Sequence, residues 1–142
     1  MMTAKEYLAR ALLIDQRIKS KLEQVQSLRS LAEKATSTLS QTPHGKERNM
    51  HRMEDVIVKM LDLESDINAS IDALVDVKRE IMEAVQYLPV TEHRTLLELR
   101  YLCGKTWEEI AATMFYSVRN VHNLHSAALK ELEKLHDKST VS

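Results

Sequence analysis

Thr106-Trp107-Glu108-Glu109-Ile110-Ala111-Ala112-Thr113-Met114-Phe115-Tyr116-Ser117-Val118-Arg119-Asn120-Val121-His122-Asn123-Leu124 is the stretch on which the fold turns. Thr106 followed by Glu109 has the S/T-x-x-E form of a capping box, which starts a helix by satisfying free backbone N–H groups. Phe115, Tyr116 and Ser117 interrupt that helix, and Ser117 is placed to cap a second one. Ile110 and Ala111 then face Val121 and Leu124, with Ala111 small enough for two helices to cross closely. Two short helices joined by a three- or four-residue turn form a helix-turn-helix, whose second member enters the DNA major groove.

Upstream, Thr91 caps a preceding helix through Leu96, Leu97, Leu99 and Arg100 to about Leu102, and Cys103-Gly104-Lys105 turns the chain. Downstream, Val118, Val121, Leu124, Ala128, Leu132 and Leu135 share one helical face, and the polar tail 137–142 is expected to fray. Residues 89–142 therefore read as a three-helix DNA-binding domain. On its second helix the outward positions are Arg119, Asn120, His122 and Asn123. Arg pairs with guanine O6 and N7, and Asn with adenine N6 and N7. Lys105 and Arg94 reach flanking phosphates. No acidic residue lies between Glu109 and Glu131, an interval that holds Arg119, His122, His125 and Lys130.

Residues 1–88 have a different pattern. Met53, Met60, Ile67, Leu74, Ile81 and Leu88 recur at intervals of seven, with Ile57, Ile71 and Val85 in a second row and Val56, Leu63 and Val77 widening the stripe. A heptad repeat of this length predicts supercoiled packing against another helix. That partner is the run Leu8, Ala11, Ile14, Ile18, Leu22, Val25, Leu28, Ala32 and Ala35, at steps of three and four, with Thr3 as cap and Glu6 completing its box. Thr42-Pro43-His44-Gly45 marks a loop over 39–50, and Pro89 ends the second long helix. The expected fold is all-α: a long antiparallel, coiled-coil-like helical hairpin (1–88), then the helix-turn-helix domain (89–142). The stripe on the second long helix is wider than a two-helix seam, so two hairpins are expected to pair as a homodimer.

Composition narrows the function. Of 142 residues only 2 are Gly and 2 Pro, too few for an all-β chain with its frequent turns. No glycine-rich phosphate loop is present, and Cys103 is the lone cysteine, which excludes an internal disulfide. No apolar run reaches a membrane-spanning length, and the first residues lack the apolar segment of a secretion signal. A cytoplasmic location with no membrane partner is expected. Net charge is −1, with 7 basic against 4 acidic residues in 1–40, 6 against 10 in 41–88, and 7 against 7 in 89–142. The first two segments are complementary.

The remaining conspicuous residues take structural readings. Trp107 is expected to wedge between helices, the methionines at 50, 53, 60, 82 and 114 to fill the core, and Cys103 to be small and buried at its turn. The histidines lack metal-ligand spacing and are read as solvated or DNA-facing. Asp62, Glu64, Asp66, Asp72 and Asp76 are spread around their helix and read as solvated. No catalytic triad can be built from these spacings, so no catalysis, metal or cofactor is expected.

The runs Leu99-Arg100-Tyr101-Leu102, Gly104-Lys105-Thr106-Trp107-Glu108-Glu109-Ile110-Ala111, Tyr116-Ser117-Val118-Arg119-Asn120-Val121-His122-Asn123-Leu124-His125 and Ala128-Leu129-Lys130-Glu131-Leu132 resemble the region 4 helix-turn-helix of sigma-70-type factors. The whole chain is similar to small phage regulators of the ArpU/RinA type, through Met2-Thr3-Ala4-Lys5-Glu6-Tyr7-Leu8 and His51-Arg52-Met53-Glu54-Asp55. The resemblance implies control of late phage operons in the bacterial cytoplasm. It places promoter contacts on Val118, Arg119 and Asn123, and phosphate or base contacts on Asn120 and His122, with Lys105, Thr106, Ser117 and Arg94 flanking. Sigma factors carry more Arg, with acidic and Gln residues, on this helix, and no segment here looks like the promoter-melting region 2. A sequence-specific regulator on double-stranded DNA is therefore expected rather than a complete sigma factor, with contact to host RNA polymerase left open. The rival is a structural or adaptor coiled coil, in phage packaging or polymerase tethering, that uses the helix-turn-helix for protein contact.

Overall fold

The computed structural model of the chain describes residues 2–38 and 43–141. Among these there are five α-helices and no strand: α1 (Ala4–Thr38), α2 (Pro43–Val85), α3 (Thr91–Leu97), α4 (Trp107–Met114) and α5 (Val118–Val141). A π-helical turn, Glu98–Leu102, follows α3 directly. The all-α architecture expected from the sequence is the one found. Among the described residues no helix is long and apolar enough to cross a membrane.

The chain forms two compact units, Met1–Leu13 with Leu74–Ser142, and Ile14–Ala73. Leu88, where the sequence places a boundary, lies inside the first unit and is 1% exposed. The reason is in the apolar rows. Leu8 and Ala11 of α1 and Ile81 and Val85 of α2 share one buried cluster with Leu96, Leu97, Tyr101, Ile110, Ala111, Val121, Ala128 and Leu132. In this unit α1 is started by Thr3, whose hydroxyl accepts from the Glu6 backbone N–H at 3.1 Å. Arg10 pairs with Glu80 of α2 at 2.7 Å and lies over the Tyr7 ring at 4.2 Å.

In the other unit Ile18 and Val25 of α1 and Ile67 of α2 are buried. Lys21 of α1 reaches Asp66 of α2 at 4.0 Å beside them. The heptad row carrying Ile67 is thus the one α2 turns inward, and Val56, Leu63 and Met60 are half-buried along it.

Several expectations are corrected. Residues 39–42 of the loop read at 39–50 lie outside the described residues, and from Pro43 the chain is already helical. Proline suits the first helical turn, where its missing N–H has no partner to lose. α5 is helical to Val141, through the tail expected to fray. Thr91 is the first residue of α3 and Val90 its N-cap, without a side-chain cap bond. The Thr91 hydroxyl instead accepts from Arg94 Nη2 at 3.3 Å. Met50 and Met82 are 51% and 60% exposed, and Ile57 and Ile71 49% and 42%. Val85, in the same heptad row as Ile57 and Ile71, is by contrast 1% exposed.

Candidate nucleic-acid interface

The two helices read from the opening stretch are present. Thr106 accepts from the Glu109 N–H at 3.1 Å, and the Glu109 carboxylate accepts from the Thr106 N–H at 3.3 Å, so the capping box is closed in both directions. Hydrogen bonding to the carboxylate, from the Thr106 backbone N–H first and the Thr106 hydroxyl second, holds the Glu109 carboxyl below the usual range. Phe115 ends α4 in the left-handed conformation, φ 60 and ψ 38. Ser117 then caps α5 by accepting from the Asn120 N–H at 3.1 Å. Ile110, Ala111 and Val121 are buried where the helices cross, with Leu124 packed on them.

Around this crossing the aromatic residues form one group. Trp107 is half-buried, with its ring 4.7 Å from both His122 and His125. The Arg100 guanidinium lies over the Trp107 ring at 4.3 Å, and its Nη1 donates to the Lys105 carbonyl at 2.9 Å. Trp107 is thus the wedge expected, seated on α4 and held from the π-helical turn and from α5. His125 departs from its expected role. It is 6% exposed, and its Nε2 and the Tyr101 hydroxyl share a hydrogen bond of 2.7 Å. Burial, then the charges of Lys5, Arg100 and His122, push its pKa down to about 4. It therefore adds no charge to the outer surface near neutrality. The cause is position: His125 lies four residues after Val121 and three before Ala128, on the apolar face of α5. That spacing was the available signal for its burial.

Arg119, Asn120, His122 and Asn123 are exposed, and Val118 is 37% exposed. All five fall in the first two turns of α5. Among the described residues no ion pair holds Arg119. His122 is exposed but leans on Trp107, which fixes its ring. Lys105 is exposed and meets Glu109 at 3.8 Å, so part of its charge is offset. Thr106 and Ser117 are exposed caps, and Arg94 is half-buried on α3. The structure thus brings Val118, Arg119, Asn120, His122 and Asn123 onto the opening of one helix. Lys105 and Thr106 lie at the start of α4, and Arg94 is on α3.

Residues 78–132 match the model of the family Sigma-70, region 4. No curated protein and no solved structure matches the chain. The matched residues run from the end of α2 through the turn and most of α5, so this part of the chain is a sigma-70 region 4-like helix-turn-helix. It accounts for under half of the chain, and α1 and most of α2 lie outside it.

The sequence reading missed two residues of this region. Cys103, expected to be buried, is exposed, because it follows the π-helical turn as its C-cap rather than packing under it. Phe115 is 93% exposed at the turn itself. Its left-handed backbone costs an L-residue roughly 1–2 kcal/mol. Tyr116 is turned back by its hydroxyl, which donates to Glu92 at 2.8 Å. That bond is the first cause of its raised pKa.

Proposed function

We propose that the chain is a non-catalytic, sequence-specific DNA-binding regulator of transcription, working as a homodimer on phage or prophage genes in the cytoplasm of a bacterial host. The observation that carries this reading is the opening of α5. A region 4-like helix-turn-helix presents exposed Arg119, Asn120, His122 and Asn123 in an interval free of acidic side chains from Ile110 to Lys130. DNA is a dense polyanion, so an α5 opening that carries Arg119 and no acidic side chain of its own is suited to approach it, the neighbouring Glu92 and Glu109 being engaged by Tyr116 and Lys105. Arg119 and Asn123 are assigned to base edges, with Val118 against a thymine methyl. Asn120 and His122 take phosphate or base contacts, and Lys105, Thr106, Ser117 and Arg94 flank them on the backbone. Contact with RNA polymerase is a further part of the proposal, supported by the likeness to region 4.

Selection of bound sequences from a random duplex pool, followed by footprinting, tests the reading. Affinity should fall steeply as salt rises, because bound phosphates release counterions. Arg119→Ala should weaken binding by ~1–3 kcal/mol and relax preference at one base pair if Arg119 reads a guanine. Binding that ignores salt, or an unchanged profile for the variant, would overturn the assignment.

A further inference from the structure

α2 carries two apolar stripes. One holds Ile67 and Ile81 and is buried. The other is made of Met50, Ile57, Leu61, Ile71, Val75 and Met82, each between 42% and 60% exposed. At the 3.5 residues per turn of a supercoiled helix, the centres of the two stripes lie about 100° apart around α2. That is the geometry of a helix with two packed neighbours; the second stripe is open from Met50 to Met82, and its row closes only at Val85, which is 1% exposed.

The second stripe also has an order. Read from Met50 at alternating steps of four and three, it is Met50, Glu54, Ile57, Leu61, Glu64, Asn68, Ile71, Val75, Lys78 and Met82. Reversed, it keeps the same arrangement of apolar and polar positions. We infer that this stripe is the seam on which a second copy of α2 packs in antiparallel register, with Leu61 opposite Ile71 of the other copy. That register sets Met50 against Met82, Ile57 against Val75, and Glu64 beside Asn68. It sets Glu54 opposite Lys78, twice per dimer. A parallel in-register pair would instead face Glu54, Glu64 and Lys78 each with its own like charge, an arrangement that destabilises and disfavours that partner orientation. Covering the exposed parts of six such side chains on each copy removes on the order of 1,000 Å², which reaches the size of a specific interface once flanking residues are added. The inference deepens the homodimer reading by assigning its seam and direction, and it does not depend on DNA binding.

The test uses the full chain with Cys103→Ser, since the exposed native thiol would cross-link on its own. Glu64→Cys and Asn68→Cys proteins are oxidised separately and as a mixture. The antiparallel register predicts that the mixture forms covalent dimer well ahead of either protein alone, because a disulfide needs the two Cα atoms within about 7 Å. Glu54→Lys should raise the dimer dissociation constant about tenfold through two repelling pairs, and Glu54→Lys with Lys78→Glu should restore it. A dimer in which Glu64→Cys links to itself as fast as in the mixture overturns the antiparallel seam and leaves the homodimer standing. Sedimentation of the native chain at micromolar concentration as a 16.3 kDa species alone overturns both.

Discussion

Acidification should loosen the seat of the recognition helix through a single side chain, His125. In the unfolded chain this imidazole takes a proton near 6.5, and in the folded chain only near 4. Between those values protons bind the unfolded state preferentially, so stability is complete above about 6.5 and declines as the pH falls toward 4, below which this contribution is gone. Each tenfold difference in proton affinity is about 1.4 kcal/mol. The gap from 6.5 to about 4 therefore corresponds to about 3 kcal/mol lost across that window. The physical origin is burial against Tyr101 and Trp107, reinforced by the positive charges of Lys5 and Arg100 and by the neighbouring His122. Urea unfolding followed by the fluorescence of Trp107, the one tryptophan, reports on this site directly. Native chain and His125→Phe are compared at several values from pH 7 to pH 4. The variant loses the hydrogen bond with the Tyr101 hydroxyl and starts less stable, but it should lack the His125 share of the slope. Carboxylates titrate in both proteins and cancel in the difference. If the two stability curves run parallel over that interval, the ring is not held neutral by its surroundings and the reasoning fails.

Other outcomes follow from the caps, the core and the turn. Thr106→Ala removes the hydroxyl side of the capping box and should destabilise the chain by about 1 kcal/mol, read as a lower urea midpoint with unchanged slope. Ile110→Ala empties a side chain that is 0% exposed at the helix crossing and should cost about 2–5 kcal/mol by the same measurement. Phe115→Gly should raise stability by about 0.5–1 kcal/mol, since it relieves the left-handed backbone of a side chain 93% exposed; a lower melting temperature would show that Phe115 packs more than its exposure indicates.

Much of this fold is legible in the sequence because its signals are local. The heptad from Met53 to Leu88 needs only one partner helix, and Thr106 with Glu109 needs only its own four residues. Thr3 is equally local. The misses are positions decided by tertiary packing or by a small change of backbone type. Thr91 is a good capping residue, yet Val90 holds the N-cap position and Thr91 is drawn into the helix. Met50 and Met82 carry the same apolar signal as Met53 and Met60. Which stripe of α2 is buried is fixed by tertiary packing, and no single window contains it. At the interface, Arg119, Asn120, His122 and Asn123 follow from the 3.6-residue period once Ser117 is set as the cap. His125 obeys the same period, but its residue type points toward solvent while its spacing points inward, and the spacing prevails.

The π-helical turn at Glu98–Leu102 is closed by the Cys103 N–H donating to the Glu98 carbonyl at 3.0 Å. A wider turn of this kind holds one residue more than the α-helical path would. The extra residue is accommodated without breaking the helix. The chain with one residue removed from this segment has a ready alternative, an ordinary α-helical turn, but it would bring Tyr101 and Arg100 round by about 100°. Tyr101 would leave His125, and Arg100 would leave Trp107. The bulge therefore acts as a phase adjuster: it sets the rotational setting at which the helix before the turn hands over to the helix-turn-helix.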